Sequence, residues 1–183
     1  MPVITLFLIG MKPVNIILTL VIIVLSYLIF RGINEPIKFN KEKEYRYSFV
    51  IQKLKDIRTA QLAYKSVNGA YTAEFDSLIG FVKTGQFALI KQIGNVEDSA
   101  AVIIRDTIYI PVRDSIFPGN YPVDSLPFVP FGKGAKFKMQ AGEIEKGKVK
   151  VKVFEVVDTA PFDPKEVLQV GSMTEPSNAG NWE

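Results

Sequence analysis

The chain contains neither cysteine nor histidine. The first absence excludes disulfides, thiol nucleophiles and thiolate-bound zinc; the second removes the usual general base and the commonest metal ligand. Catalysis would have to rest on carboxylates or on a serine–lysine pair. Asp106, Asp114 and Asp124 stand in "RDT", "RDS" and "VDS", which is ordinary turn chemistry, and nothing in their spacing sets two carboxylates at the separation that hydrolysis by a carboxylate pair needs. A strong charge of one sign is also missing. Lys and Arg number 22 against 19 Asp and Glu, a net of +3 scattered along the chain, which argues against a nucleic-acid partner. The sequence therefore predicts no catalytic residue, no metal site and no cofactor. Tryptophan occurs once, as Trp182.

What the chain has in abundance is apolar sequence near its start. Residues 13–30, "PVNIILTLVIIVLSYLIF", are 18 residues without a charge. At 1.5 Å per residue a helix of that length covers roughly 27 Å, close to the hydrocarbon thickness of a bilayer. The following "SYLIFRGINEP" offers no small-x-small cleavage site, so residues 14–30 are expected to be a retained transmembrane anchor. Residues 1–13 form its flank, with 1–10 read either as an extension from a start codon upstream of Met11 or as a continuation of the apolar segment, the first being preferred. In "RGINEPIKFNKEKE", residues 31–44, Gly32, Pro36 and the density of charge predict a juxtamembrane linker that breaks or kinks the helix.

Residues 45–170 are expected to form one α+β domain. Tyr47, Val50, Ile51, Leu54, Ile57, Ala60, Tyr64 and Val67 recur at spacings of three and four, which predicts an amphipathic helix. Asn68-Gly69 closes it, and Thr72 is expected to cap a short helix that carries Phe75, Leu78, Ile79 and Val82 on one side and ends at Gly85. Beyond Gly85 the period changes to two. Residues 100–112 read as two strands or one bent strand around Arg105-Asp106, and residues 135–157 as a hairpin turning at 145–147. In that hairpin Phe137, Met139, Ala141, Val149, Val151 and Val153 are expected on one face, with the lysines on the other, solvated face. The proline-rich residues 117–134 should be a long ordered loop, and residues 171–183 a polar tail, frayed or pinned by Trp182.

The run "LAYKSVNGAYTAEFDSLIGFV", behind an apolar helix with an amphipathic continuation, resembles the type IV pilins and type II secretion pseudopilins, with Ala63, Tyr64, Asn68, Gly69, Tyr71 and Leu78 carrying the likeness over residues 14–82. That family is cut after a Gly followed by an apolar residue, with Glu five positions on and a basic leader before the cut; here Gly10 precedes Met11, the fifth place is Asn15 and residues 1–9 have no basic residue, so the chain departs from the processing motif. The resemblance implies an antiparallel sheet packed on one N-terminal helix and a non-catalytic structural or assembly subunit of a pilus-like, secretion or cell-surface machine. It also implies a single-pass bacterial inner-membrane location with the C-terminal domain periplasmic or otherwise extracytoplasmic. Counting Lys12 against Arg31, Lys38, Lys41, Lys43 and Arg46 favours the opposite orientation, although large domains translocate despite such flanks. The expected partners are the membrane and other envelope or secretion-machine proteins, possible self-association included. Candidate partner contacts are Tyr121, Phe128 and Phe131 in the proline loop and Trp182 in the tail. A membrane-tethered ligand-binding module, using the same loop aromatics together with Tyr109, is the alternative reading.

Overall fold

A computed structural model describes residues 13–93 and 104–183. Residues 100–103 of the expected strand and the N-terminal flank up to residue 12 lie outside the described residues. The fold is α+β: a long, apolar-starting helix, short helices and antiparallel strands. The chain divides into two compact units, residues 1–45 and 46–183.

Helix α1, Pro13–Asn68, is 56 residues long and enters both units. Within the first unit its side chains from Val14 to Phe30 are almost all exposed and apolar. The expected break at residues 31–44 is absent: the helix runs on through Pro36. A proline inside a helix costs about 3 kcal/mol, because it lacks the N–H and its ring crowds the carbonyl four residues back. That carbonyl belongs to Gly32. Neighbouring turns are tied by Asn34 Nδ2 donating to the Phe30 carbonyl and by the Arg31–Glu35 ion pair at 2.6 Å.

In the second unit the predicted stripe is the wall of the core. Tyr47, Val50, Leu54, Ile57, Ala60 and Ala63 are buried, Ile51 and Tyr64 pack beside them, and Val67 stays exposed at the end of the helix. Gly69, at φ 76°, closes the helix with its N–H on the Lys65 carbonyl (2.8 Å), the left-handed stop that Asn68-Gly69 predicts. The reversal is then locked by a residue that pattern reasoning passes over. Gln61 is fully buried; its Nε2 donates to the Thr72 carbonyl (2.6 Å) and its Oε1 accepts the Thr72 N–H (3.2 Å).

Helix α2, Phe75–Thr84, buries Leu78 and Val82. Its N-cap position is Glu74; Thr72 Oγ1 instead accepts the Glu74 N–H (3.2 Å), so the expected threonine cap is a turn ahead of the helix. Gly85 ends α2 as expected, where a Cβ would come within 2.5 Å of the Phe81 carbonyl oxygen.

The strands form two sheets where one was expected. Strands β1, Gln86–Ile93, and β2, Ile104–Pro111, pair antiparallel as a ribbon. The β2 ladder passes straight through Arg105-Asp106, because both residues have partners on β1, Gln92 and Lys91. Val112 N–H bonds the Gly85 carbonyl (2.9 Å) at the base of the ribbon, and helix α3, Val112–Ile116, follows. Strands β3, Lys138–Lys146, β4, Val149–Val157, and β5, Gln169–Gly171, make the second sheet in that order. The β3–β4 turn is Gly147-Lys148, both left-handed at φ 59° and 69°, which is the conformation a two-residue hairpin loop needs.

The hairpin faces differ from the expected pattern. Met139 pairs with Val156 and Ala141 with Phe154, so Phe154 and Val156 take the core face, and Lys150 and Lys152 lie farther along that same face. Lys152 is ion-paired there with Glu143. Val149, Val151 and Val153 are on the other face: Val149 is exposed, whereas Val153 is buried. A Cβ on Gly142, the partner of Val153, would meet Met173 Cε at 3.1 Å, which places the C-terminal segment over that face. Residues 171–183 are accordingly pinned. Val170 bridges Gly180, the Asn181 N–H and side chain bond Gln169 and Val167 carbonyls (3.1 and 2.8 Å), and Arg58 Nη1 donates to Glu183 Oε1 (2.8 Å).

Leu54 and Leu78 are fully buried in one core with Phe154, Val156 and Val170. Replacing either by Ala should cost about 2–5 kcal/mol in denaturant unfolding of the full chain in detergent, through lost contacts and a cavity; Val149→Ala should cost less than about 0.5 kcal/mol. Equal effects at buried and exposed positions would contradict this core. Gln61→Leu keeps the volume but strands the Thr72 N–H and carbonyl, and should cost about 1–3 kcal/mol in the same measurement.

Candidate functional site

The loop that carries most of the predicted contacts is ordered by its own sequence. Pro118 and Pro122 accept the N–H groups of Tyr121 and Ser125, and a 3-10 turn over Val123–Ser125 follows. Phe117, Val123, Leu126 and Val129 are buried as anchors. Farther on, Phe131 and Lys133 hold positive φ angles of 62° and 51°. An aromatic residue in the left-handed region is uncommon, and such backbone costs on the order of 1–3 kcal/mol.

Tyr121 is half-buried and is tied to α1. Its ring stacks on Phe117 (4.2 Å), its O–H donates to Asp56 Oδ2 (2.6 Å), and Lys53 Nζ donates to its oxygen (3.3 Å) and to Ser125 Oγ (2.9 Å). Burial pushes the Lys53 ammonium down, opposed by the Asp56 charge. Burial, reinforced by the Asp56 hydrogen bond, pushes the Tyr121 phenol well above its ordinary range. A lysine beside a serine hydroxyl has the form of a base and a nucleophile. Here, however, Ser125 Oγ donates to the Pro122 carbonyl (2.7 Å), and the Ser125 and Leu126 N–H groups are taken by the Pro122 and Val123 carbonyls. The group ties α1 to the loop through the Tyr121–Asp56, Lys53–Tyr121 and Lys53–Ser125 hydrogen bonds.

Phe131 enters a different setting. Its ring, about half exposed, meets Phe49 edge-on (5.5 Å), and the Arg46 guanidinium lies over it (5.5 Å) and over Phe162 (4.7 Å). Arg46, Tyr47, Phe131, Asp158 and Phe162 line a cavity of about 210 Å³. Asp158 is the unusual member. It is 3% exposed; its Oδ1 accepts the Ala160 N–H (2.9 Å), and its Oδ2 is buried without a hydrogen-bond donor. Burial raises the carboxyl above the ordinary carboxylate range, and the Ala160 bond opposes that only in part.

The other predicted residues lie apart from this cavity. Phe128 is exposed beside Lys136, with Nζ 5.5 Å from its ring. Trp182 packs against the core from the pinned tail, with its Nε1 buried and unbonded. Tyr109 is exposed on β2 rather than at the loop. Of the carboxylates, Asp114 is exposed, Asp124 pairs with Lys83 (2.6 Å), and the Asp106 side chain lies outside the described residues. Tyr121, Phe128, Phe131 and Trp182 thus stand among different neighbours. A second, larger groove of about 660 Å³ lies between the end of α1 and the ribbon, lined by Val67, Phe87, Leu89 and Ile110 among others.

Sequence reading missed Arg46, Asp158 and Phe162 as a group. Asp158 carries a local signal, the "DTA" Asx turn after an apolar strand, but that signal says nothing of burial. No protein-family description, no curated protein and no solved structure matches the chain.

The buried carboxyl has a consequence for stability. A raised folded-state pKa means that Asp158 favours the folded form while protonated. That contribution is complete below the ordinary carboxylate range and is lost as pH rises through the raised value. Thermal unfolding across that window should show stability falling in the native chain, and the fall should be smaller in Asp158→Asn, which cannot ionise. Parallel pH profiles for the two proteins would contradict the assignment.

Proposed function

We propose that the protein is a non-catalytic, single-pass protein of the bacterial cell envelope, anchored by residues 14–30. Its C-terminal unit, outside the cytoplasm, serves as a structural or assembly subunit of a pilus-like, secretion or cell-surface machine. One observation carries the reading. The described part of the chain has one helix long and apolar enough to cross a membrane, and its apolar window is wholly unburied. A contiguous apolar surface of this extent is not sustained in water; hydrocarbon is the solvent that suits it.

Two further features support the reading. The helix that begins in the apolar segment continues without interruption into residues that build the core, as expected of a retained anchor rather than a discarded leader. The order of one long N-terminal helix, a short helix and antiparallel strands is also the order that the pilin-like resemblance implies. The exposed rings of Tyr109, Phe128 and Phe131 supply aromatic surface of the kind that anchors protein interfaces.

The absence of cysteine gives a direct test. A single cysteine at exposed Asn120 should react with a membrane-impermeant thiol reagent in intact cells whose outer layers admit it. Labelling only after permeabilisation would reverse the orientation. In the same membranes a photo-crosslinking side chain at Phe128 should give light-dependent adducts with envelope proteins or with a second copy; no adduct at either Phe128 or Tyr109 would count against an assembly role.

A further inference from the structure

Strand β1 has an outer edge that its own ribbon leaves unpaired. Val112 N–H bonds the Gly85 carbonyl, so the ladder's inward bonds fall at Gly85–Val112, Phe87–Ile110 and Leu89–Ile108, and the backbone groups of Gln86, Ala88 and Ile90 point away from β2. Among the described residues no hydrogen bond takes them. The other edges are defended. On β2 the outward positions are Thr107, Tyr109 and Pro111, and Pro111 has no N–H to offer. Strand β3 carries Lys138, Glu143, Glu145 and Lys146, while β5 is three residues long and Val170 in it is bridged to Gly180 of the tail. Proline, charge, brevity and cover are the means by which sheet edges avoid pairing. Residues 86–90, "QFALI", have neither proline nor charge and belong to an eight-residue strand.

The ribbon is also short of a strand. Two strands alone are marginal in water, and independent stability takes three or more with an apolar face. Such a face is present: Phe87 and Ile110 are half-buried, and Leu89 and Ile108, on the same side, are exposed. The larger groove is lined by Gln86, Phe87, Ala88 and Leu89 in succession. Because alternate side chains face opposite ways, a space that touches four in a row borders the edge of the strand. With roughly 160 Å³ per residue, from the rise, strand spacing and sheet thickness of a β-sheet, its volume of about 660 Å³ holds about four residues of extended chain.

We propose that β1 pairs antiparallel with β1 of a second copy, joining two ribbons into one four-stranded sheet about a two-fold axis at Ala88. The register follows from the backbone. Only outward residues can exchange bonds across the new edge, and setting Gln86 opposite Ile90 and Ala88 opposite Ala88 uses all three outward positions of both chains. The same register sets Phe87 opposite Leu89 twice, an aromatic–aliphatic cross-strand pair on a continuous apolar face. A two-fold axis also sets a segment against itself, which a charged edge would resist. Residues 86–90 are uncharged, and Lys91 lies beyond the overlap. The pairing gives the assembly role a partner, and it rests on that reading for the anchor that gathers copies in one membrane.

The full chain in detergent micelles should sediment with the protein mass of two copies. In membranes, Ala88→Cys should form a disulfide-linked dimer under mild oxidation, since a hydrogen-bonded antiparallel pair holds its Cα atoms about 5.5 Å apart, within disulfide reach. Tyr109→Cys should not, because three strand spacings, on the order of 14 Å, separate the two outer strands. Ala88→Pro removes an outward N–H without touching the β1–β2 ladder and should weaken dimerisation at least about tenfold. The proposal is overturned if the chain is monomeric, if cysteines at 88 and 109 cross-link equally or neither does, or if Ala88→Pro, folded by its thermal unfolding, dimerises unchanged. The cysteine pair decides the matter even where the proline variant fails to fold. A monomer that still gives Phe128 adducts with other envelope proteins would overturn this pairing alone and leave the assembly role standing.

Discussion

A buried amide holds the second unit's helical reversal. Gln61 faces the core, where an apolar side chain would ordinarily stand, and its two polar atoms take the N–H and carbonyl of Thr72 as a neighbouring strand would. Leaving a buried backbone group unbonded costs about 1–3 kcal/mol, so this arrangement fixes where the chain goes after Gly69. Tyr71 is thereby set against Phe154 (4.6 Å) and within reach of Asn178 (3.2 Å), and α2 is delivered with Leu78 and Val82 into the core. Met139 Sδ completes the shell around the Gln61 nitrogen at 2.9 Å. One side chain of α1 therefore touches the reversal and β3 directly, and through Tyr71 its influence reaches β4 and the C-terminal segment.

The same helix has two kinds of surface along its length. From Val14 to Phe30 it is apolar on every side, the pattern of a helix surrounded by hydrocarbon. From Tyr47 to Ala63 it is apolar on one side and carries Lys53, Asp56 and Arg58 on others, the pattern of a helix that covers a core. Those charged residues have specific work: Lys53 and Asp56 clasp the proline loop, and Arg58 holds Glu183 at the chain's end. The loop and the tail, which carry Tyr121, Phe128, Phe131 and Trp182, are thus both referenced to α1.

The stripe of α1 was legible because helical burial has a local period, and Asn68-Gly69 because left-handed closure needs particular residues. The hairpin was legible too, its turn lying within a residue or two of the expected place. Its faces were not. The alternation from Val149 to Val153 predicts one apolar side, yet Val153-Phe154 puts two apolar residues in succession, and burial moves to the other face from Phe154 onward. That shift depends on the C-terminal segment covering Val153, a contact with no local sequence signal. The helical run through Pro36 was likewise hidden, because a proline's cost is local while the support for a helix is summed over its length. The cavity was the least legible part: Arg46, Phe131, Asp158 and Phe162 come from α1, the loop and the segment after β4, and only the tertiary fold gathers them. Trp182 shows the converse, a conspicuous residue that the fold uses for packing.

The central claim is that residues 14–30 remain on the protein and lie in lipid. Alkaline carbonate extraction of cell membranes tests it most directly, because that treatment strips surface-bound proteins and leaves embedded ones. The account predicts that the intact chain, detected at its full mass, stays in the membrane pellet, and that deletion of residues 14–30 moves it to the supernatant. Full release of the intact chain, or a product shortened by the apolar segment, would contradict it.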